Sequence, residues 1–410
     1  MNILCIFNYQ REVPPFMQMQ IGIARKYFDK IYYFTRHMTS NNSETIAYDN
    51  VKVVEVSALT RNLMFMGSPV HALFNRYCLT NFLKSLDIKR LKAHATTIFT
   101  SDCLYLTAKD TVKKHLKAND NVYMLATWFS TEAYTVARFN KNYNLSKTVS
   151  FAHSFEINPN CNDMVPLSFN EFKHTYIDET HFIAQKMKSI YCKAVQTMNI
   201  EERFGNKMRI TYLGSTKAYD RLNSPSTDGI FRIVSCSGIN HIKRLYLIVE
   251  ALKGWNQGKV EWTHIGDGEL FDRLQSQVME LTTLNTNVTV RLLGHKPNSE
   301  VQKYYSENPA DIFVNVSSLE GLPVSIMEAM SYGIPCLATD VGGTLEIVNA
   351  GNGILINKDT TANRIRDYLQ NYCMKKDSEK EVMRHNAFEF WSEHFDANKT
   401  LKDFYCSVLD

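Results

Sequence analysis

The sequence predicts an α/β protein built from two doubly wound domains, and three observations predict it. Short β-branched runs alternate with stretches whose apolar residues recur at helical spacing. A polar segment, STKAYDRLNSPSTD, lies between Gly214 and Gly229 and reads as a linker. Beyond it the alternation restarts and ends in two successive strand-loop-helix units over residues 312–348.

In the first half, residues 3–7 read as a strand, 16–26 as a helix, and 30–34 and 51–56 as strands. Helical spacing follows over 69–93. Further strands are expected at 97–100, 122–126, 148–152, 181–184 and 208–213, with helices between most of them. After the linker come strands at 233–236, 260–265, 288–293 and 312–316, separated by helices at 243–253, 270–281 and 299–305. The tail, 382–409, reads as helical and rich in aromatics.

At 410 residues the chain is long enough for two or three domains, and 44% apolar with 21% charged residues is ordinary for a globular protein. No apolar run is long enough to span a bilayer, and Glu12 stands close behind a very short apolar run, so neither an anchor nor a signal peptide is expected. Nine cysteines, an odd number with no C-x-x-C pair, point to buried thiols in a reducing compartment and away from a disulfide frame or a zinc site. A cytoplasmic location follows as the expectation.

The net charge of +4 is unevenly placed: residues 1–175 hold 20 Lys and Arg against 13 Asp and Glu, and the remainder 26 against 29. In the basic half, Lys84, Lys89, Arg90, Lys92, Lys109, Lys113, Lys114 and Lys117 are interleaved with Phe82, Leu83, Leu86, Leu91, Leu104, Leu106 and Val112. A solvated lysine face on amphipathic helices is the commoner meaning of that pattern. Peripheral docking on an anionic bilayer, at the inner membrane face, is the second reading. No base-reading or RNA-stacking motif accompanies the charge, so nucleic acid is not an expected partner. No G-x-G-x-x-G follows the first strand, which argues against a nicotinamide dehydrogenase.

Residues 312–348 carry the chemistry. Pro323 suits a first helical position and Gly333 a left-handed C-cap, which predicts a helix over 323–332. Glu320 in the preceding loop and Glu328 on the helix then point toward the carboxyl ends of the strands, where ligands bind in open α/β sheets. The run Glu320-Gly321-Leu322-Pro323-Val324-Ser325-Ile326-Met327-Glu328-Ala329-Met330 resembles the Glu-x7-Glu motif of the retaining glycosyltransferases of family 4. Gly333-Ile334-Pro335, Asp340, Gly342-Gly343-Thr344 and Glu346-Ile347-Val348 continue that family's pattern. The likeness is close over residues 230–350 and in outline only over 1–213.

The resemblance implies a GT-B fold, with two Rossmann-like domains facing a crevice. Residues 1–213 would form the acceptor side, 214–388 the donor side, and 389–410 would cross back onto the first. It implies transfer of a sugar from a nucleotide diphosphate donor, a UDP-sugar above all, to a glycan or lipid-linked acceptor with retention; whether by front-face attack or a covalent intermediate the sequence leaves open, and no essential nucleophile on the enzyme is expected. No DxD motif occurs and no cofactor is implied, so cations and helix N-termini would hold the diphosphate without a metal.

On this resemblance Lys243 is the phosphate-binding cation, Glu328 accepts from the ribose hydroxyls, and Glu320 lies against the donor sugar. Gly321, Leu322, Pro323 and Val324 offer a helix N-terminus, and His295, in Gly294-His295-Lys296, falls where base contacts occur. Ser237-Gly238 stands where the family often has Gly-Arg, so Arg244 or His241 would supply the second cation beside Gly238. Phe151-Ala152-His153-Ser154-Phe155-Glu156 resembles the family's Ala-His-Gly-x-Asp segment and makes His153 a candidate for sugar contact or proton movement. Asn8-Tyr9-Gln10-Arg11-Glu12-Val13-Pro14-Pro15-Phe16 replaces the family's Gly-rich acceptor loop. Two other readings stay open: a GT-B sugar-nucleotide epimerase, and a non-catalytic nucleotide-sugar binding protein.

Overall fold

The computed structural model describes all residues except 11–12, 37–45, 75–87 and 160–168. The chain forms two compact units, Met1–Tyr212 with Leu401–Asp410, and Leu213–Thr400.

The first unit is built on a seven-stranded parallel sheet in the order β3-β2-β1-β4-β5-β6-β7. Its strands are β1 (Asn2–Asn8), β2 (Lys30–Thr35), β3 (Val51–Glu55), β4 (Asn121–Ala126), β5 (Lys147–Ala152), β6 (Glu179–Phe182) and β7 (Met208–Ile210). Apart from its first residue β1 is buried throughout, as a central parallel strand covered on both faces must be. The tail is packed here as well: Phe404 lies on Phe151 and His181, and the Tyr405 hydroxyl donates to the Gln20 carbonyl at 3.3 Å.

The strand expected at 97–100 is not one. These residues lie inside the helix Ile88–Lys117. Ile98, Ser101, Cys103, Leu104, Ala108 and Val112 are all buried, a helical period that outweighs the short β-branched run. Thr97 bonds back to the Ala93 carbonyl at 3.1 Å, so its branched side chain is satisfied within the helix. The helical reading of 69–93 overlaps Ala58–Phe74 and the start of Ile88–Lys117. Its middle, with Phe82, Leu83, Lys84 and Leu86, lies outside the described residues.

The second unit holds a six-stranded parallel sheet in the order β10-β9-β8-β11-β12-β13. Its strands are β8 (Ile230–Cys236), β9 (Lys259–Ile265), β10 (Val288–Leu292), β11 (Ile312–Asn315), β12 (Cys336–Thr339) and β13 (Gly353–Ile356). Phe231, Ile233, Trp262, Ile312 and Val314 anchor its core. The Trp262 indole N–H would be costly to bury unpaired, and it donates to Ser235 Oγ at 2.9 Å. Strand order reverses between β1 and β4 in the first sheet and between β8 and β11 in the second. Loops diverge at such switch points and leave an opening for ligands.

Two further departures have local causes. The tail is two helices, Asp377–His394 and Ala397–Leu409. It breaks because Phe395 and Ala397 exchange backbone hydrogen bonds with Ser215, at 2.9 and 3.0 Å. Gly214, at φ +69, allows that approach, since a Cβ there would stand 2.4 Å from the Phe395 carbonyl oxygen. The polar segment after Gly214 is held onto the second unit by Asn223, whose amide donates to the carbonyls of Tyr305 and Asn308 at 2.6 and 2.7 Å.

Candidate functional site

Lys243 and Glu320 meet at the switch point of the second sheet. Lys243 follows β8, Glu320 follows β11, and their Nζ and Oε1 atoms are 2.6 Å apart. The side chains are 24% and 10% exposed, so solvent and a ligand reach the pair. Asn315, the last residue of β11, donates to the same Oε1 at 3.2 Å.

Lys243 does not begin a helix as its sequence context suggests; the helix is Tyr246–Lys253. Asn240 Oδ1 accepts the amides of Ile242 and Lys243 at 3.0 and 3.2 Å, a local turn that competes with helix formation. Arg244 then adopts φ +50, which stops the helix from extending backward. Lys243 is thus presented from a turn, clear of the positive helix end that would repel it.

The guanidinium of Arg244 donates to the carbonyls of Val316, Ser317 and Lys358 at 2.7, 3.0 and 2.8 Å. It ties the loop after β8 to those after β11 and β13. Gly238 needs no special space, since a Cβ there would meet nothing closer than 3.6 Å.

The Glu320 loop is fastened from both sides. Ser318 N–H donates to the Ile242 carbonyl at 2.8 Å, Thr339 Oγ1 to the Ser317 carbonyl at 2.6 Å, and Gly343 N–H to the Gly321 carbonyl at 2.7 Å. Pro323 stands one position ahead of the sequence-based expectation, as N-cap of the helix Val324–Ser331. Leu322 is buried and Val324 exposed at the helix entrance. At the other end, Gly333 has φ +73, its N–H donates to Met330, and Ile334 N–H donates to Ala329. These are the two bonds of a Schellman motif.

Gly342 has φ +57, and a Cβ there would lie 1.9 Å from the Glu320 carbonyl oxygen. Gly342→Val is therefore expected to push the Glu320 loop aside and to cost about 2 kcal/mol or more. Thermal melting checks this; a midpoint within 1 °C of the parent would show that the loop gives way freely.

Glu328 is 9% exposed and its Oε1 accepts from Asn298 Nδ2 at 2.6 Å. Burial raises its carboxyl to about 7, with the Asn298 hydrogen bond opposing part of that shift. Gln302 donates to Asn298 Oδ1 at 2.8 Å and accepts from the Tyr332 hydroxyl at 3.1 Å, which orients the amide that faces Glu328. His295 is exposed in the loop after β10, and no hydrogen bond or ion pair joins it to Lys243, Glu320 or Glu328 among the described residues.

His153 belongs to the first unit and follows β5. Its Nε2 is 3.1 Å from the Thr127 carbonyl and its ring lies 4.5 Å from that of Trp128. Burial pushes its imidazole down to about 4, so it is neutral at pH 7. The donor toward Thr127 is then Nε2–H. Glu156 Oε1 accepts the amides of His153 and Phe129 at 2.8 and 3.2 Å, while its Oε2 is buried without a partner. Burial raises the Glu156 carboxyl to about 7.

Sequence reasoning missed Asn240, Asn298 and Asn315, the three amides that hold Lys243, Glu328 and Glu320 in place. Asn240 lies in the turn after β8, Asn298 starts a helix and Asn315 ends β11, positions that asparagine takes for reasons unrelated to ligands. Only their tertiary partners distinguish them.

Two parallel-sheet units with these switch points define a GT-B fold, and the fold is shared with solved glycosyltransferase structures. Anabaena Alr3699/HepE in complex with UDP superposes with a TM-score of 0.68 at 15% identity, covering 100% of this chain and 99% of that one. Residues 220–390 match the family model described as Glycosyl transferases group 1. Among curated proteins, the amylovoran biosynthesis glycosyltransferase AmsK of Erwinia amylovora is 32% identical over 163 residues, covering 38% of this chain and 35% of that one. The O-antigen biosynthesis glycosyltransferase WbnH of Escherichia coli is 29% identical over 169 residues, covering 41% and 44%. The chain thus spans less than half the length of these relatives, and the likeness is confined to part of it.

Proposed function

We propose that the protein is a retaining, metal-independent glycosyltransferase that moves a sugar from a UDP-sugar to a glycan or lipid-linked acceptor in polysaccharide synthesis. The observation that carries this reading is the Lys243–Glu320 pair at the switch point, within a segment similar to group 1 glycosyltransferases. UDP in the Alr3699/HepE structure supports the choice of base.

In this reading Lys243 leaves Glu320 for the donor diphosphate when donor binds, and neutralises the charge that builds on the leaving group. Glu320 then turns to the donor sugar, orienting its hydroxyls and stabilising positive charge at the anomeric carbon. Amides at the start of helix Val324–Ser331 assist at the phosphate. Glu328 accepts from the ribose hydroxyls and His295 lies toward the base. Arg244 and Gly238 shape the loop.

A membrane-bound acceptor would suit the exposed Lys113, Lys114 and Lys117, together with the exposed Leu59, Leu63, Phe65 and Met66 on helix Ala58–Phe74. Among the described residues no helix is long and apolar enough to cross a membrane.

A thermal-shift panel of UDP-, GDP-, ADP- and TDP-sugars tests the donor. UDP-sugars are expected to stabilise by about 2.7 kcal/mol at 100 times the dissociation constant. No shift with any of them overturns the reading. Donor consumed without any acceptor would place the protein with the epimerases.

A further inference from the structure

A cavity of about 170 Å³ lies in the second unit between the turn that follows β8 and the helix Phe271–Leu284. That volume is close to the roughly 150 Å³ that houses a single benzene ring in an engineered core. Leu245 and Leu274, both buried, and Leu270 line it with apolar surface. Tyr246, with 47% of its surface exposed, offers a ring on the same cavity.

The polar lining is one-sided in charge. Arg273, His241 and Gln277 line the cavity, and no carboxylate does. The Arg273, His241 and Gln277 side chains make no hydrogen bond or ion pair with a described residue. Their donors are available to a ligand. Lys243, Glu320, Glu328 and His295 take no part in the lining, while Asn240, whose side chain holds the Lys243 turn, and its neighbour His241 do, so the cavity borders the turn that carries Lys243.

We propose that this cavity is a binding site for a single-ring anion, its ring against the leucines and Tyr246 and its charged group on Arg273. The apolar floor supplies area in proportion to the ring it covers, and the guanidinium supplies bidentate geometry for a phosphate or carboxylate. A hexose phosphate and an aromatic phosphate share this chemistry. The proposal goes beyond the transferase reading and does not depend on it.

Thermal shift and calorimetric titration of the whole chain test it, with glucose 1-phosphate, phenyl phosphate and inorganic phosphate as probes. At least one ring phosphate is expected to bind tenfold or more tightly than inorganic phosphate. Arg273→Glu is expected to weaken that binding at least tenfold, and Lys243→Ala to leave it unchanged. Arg273 is exposed and unpaired, so its replacement leaves the fold alone. Binding of glucose 1-phosphate alone identifies a sugar phosphate as the ligand class, and of phenyl phosphate alone an aromatic anion. The proposal is overturned if neither ring phosphate binds or inorganic phosphate binds equally well. It is overturned too if Arg273→Glu binds like the parent, or if Lys243→Ala abolishes binding, which would put the anion in the donor cradle.

Discussion

On the proposed reading, Lys243→Ala is expected to lower sugar transfer by about 10²- to 10³-fold, the loss typical when one preorganised charge partner of a transition state is removed. The cause is local. Lys243 Nζ is the group 2.6 Å from Glu320, and it stands on a turn that Asn240 holds from below. Its side chain is 24% exposed, so its removal leaves no buried hole and the melting temperature is expected to stay close to that of the parent. Glu320→Ala is expected to lose transfer similarly, since it removes the carboxylate that Asn315 and Lys243 hold at the switch point and that the proposal places against the donor sugar. Initial rates with the stabilising nucleotide-sugar, alongside circular dichroism, settle the matter. A Lys243→Ala enzyme within threefold of the parent would remove Lys243 from the chemistry.

If Glu328 accepts from the ribose as proposed, donor affinity is expected to decline as pH drops below about 7, by up to tenfold per unit, because the carboxyl must be ionised to take two hydroxyl donors and it sits at about 7. Stability runs the other way. A carboxyl whose folded-state pKa is raised from 4.5 to about 7 favours the fold most below 4.5, and that contribution is lost as pH rises through 7. Ionised at pH 8, the buried Glu328 costs about 3 kcal/mol relative to an unperturbed carboxyl. Glu328→Gln is therefore expected to melt higher than the parent at pH 8 and alike at pH 5, while binding UDP-sugar more weakly at pH 8. Glu156 titrates in the same range, so the difference between parent and variant, not the parent alone, isolates Glu328. Donor affinity independent of pH between 5.5 and 8 would show that Glu328 does not hold the ribose.

Much of this was legible before any coordinates. Short continuous apolar runs such as residues 3–7 and 312–316, with no polar alternation to mark an open face, suit buried parallel strands, and they form β1 and β11 here. Gly333 announced a helix end through its freedom at positive φ, and the chain ends the helix there. Residues 97–100 misled because two threonines and an isoleucine carry strand propensity, while the helix around them is set by burial over thirty residues. Lys243 misled for a different reason. Its apolar neighbours have helical spacing, but the Asn240 side chain captures the amides that a first turn would use.

The sequence by itself determined the α/β alternation, the loop-and-helix placement of Glu320 and Glu328, and the family likeness of residues 230–350. These are properties of local period and spacing, which survive without neighbours. Only the tertiary structure decided that Lys243 and Glu320, 77 positions apart, form one ion pair, and that Glu328 is buried deeply enough to titrate near neutrality. Pairing distance and desolvation are set by what the other strands and loops bring close, and no local pattern encodes them.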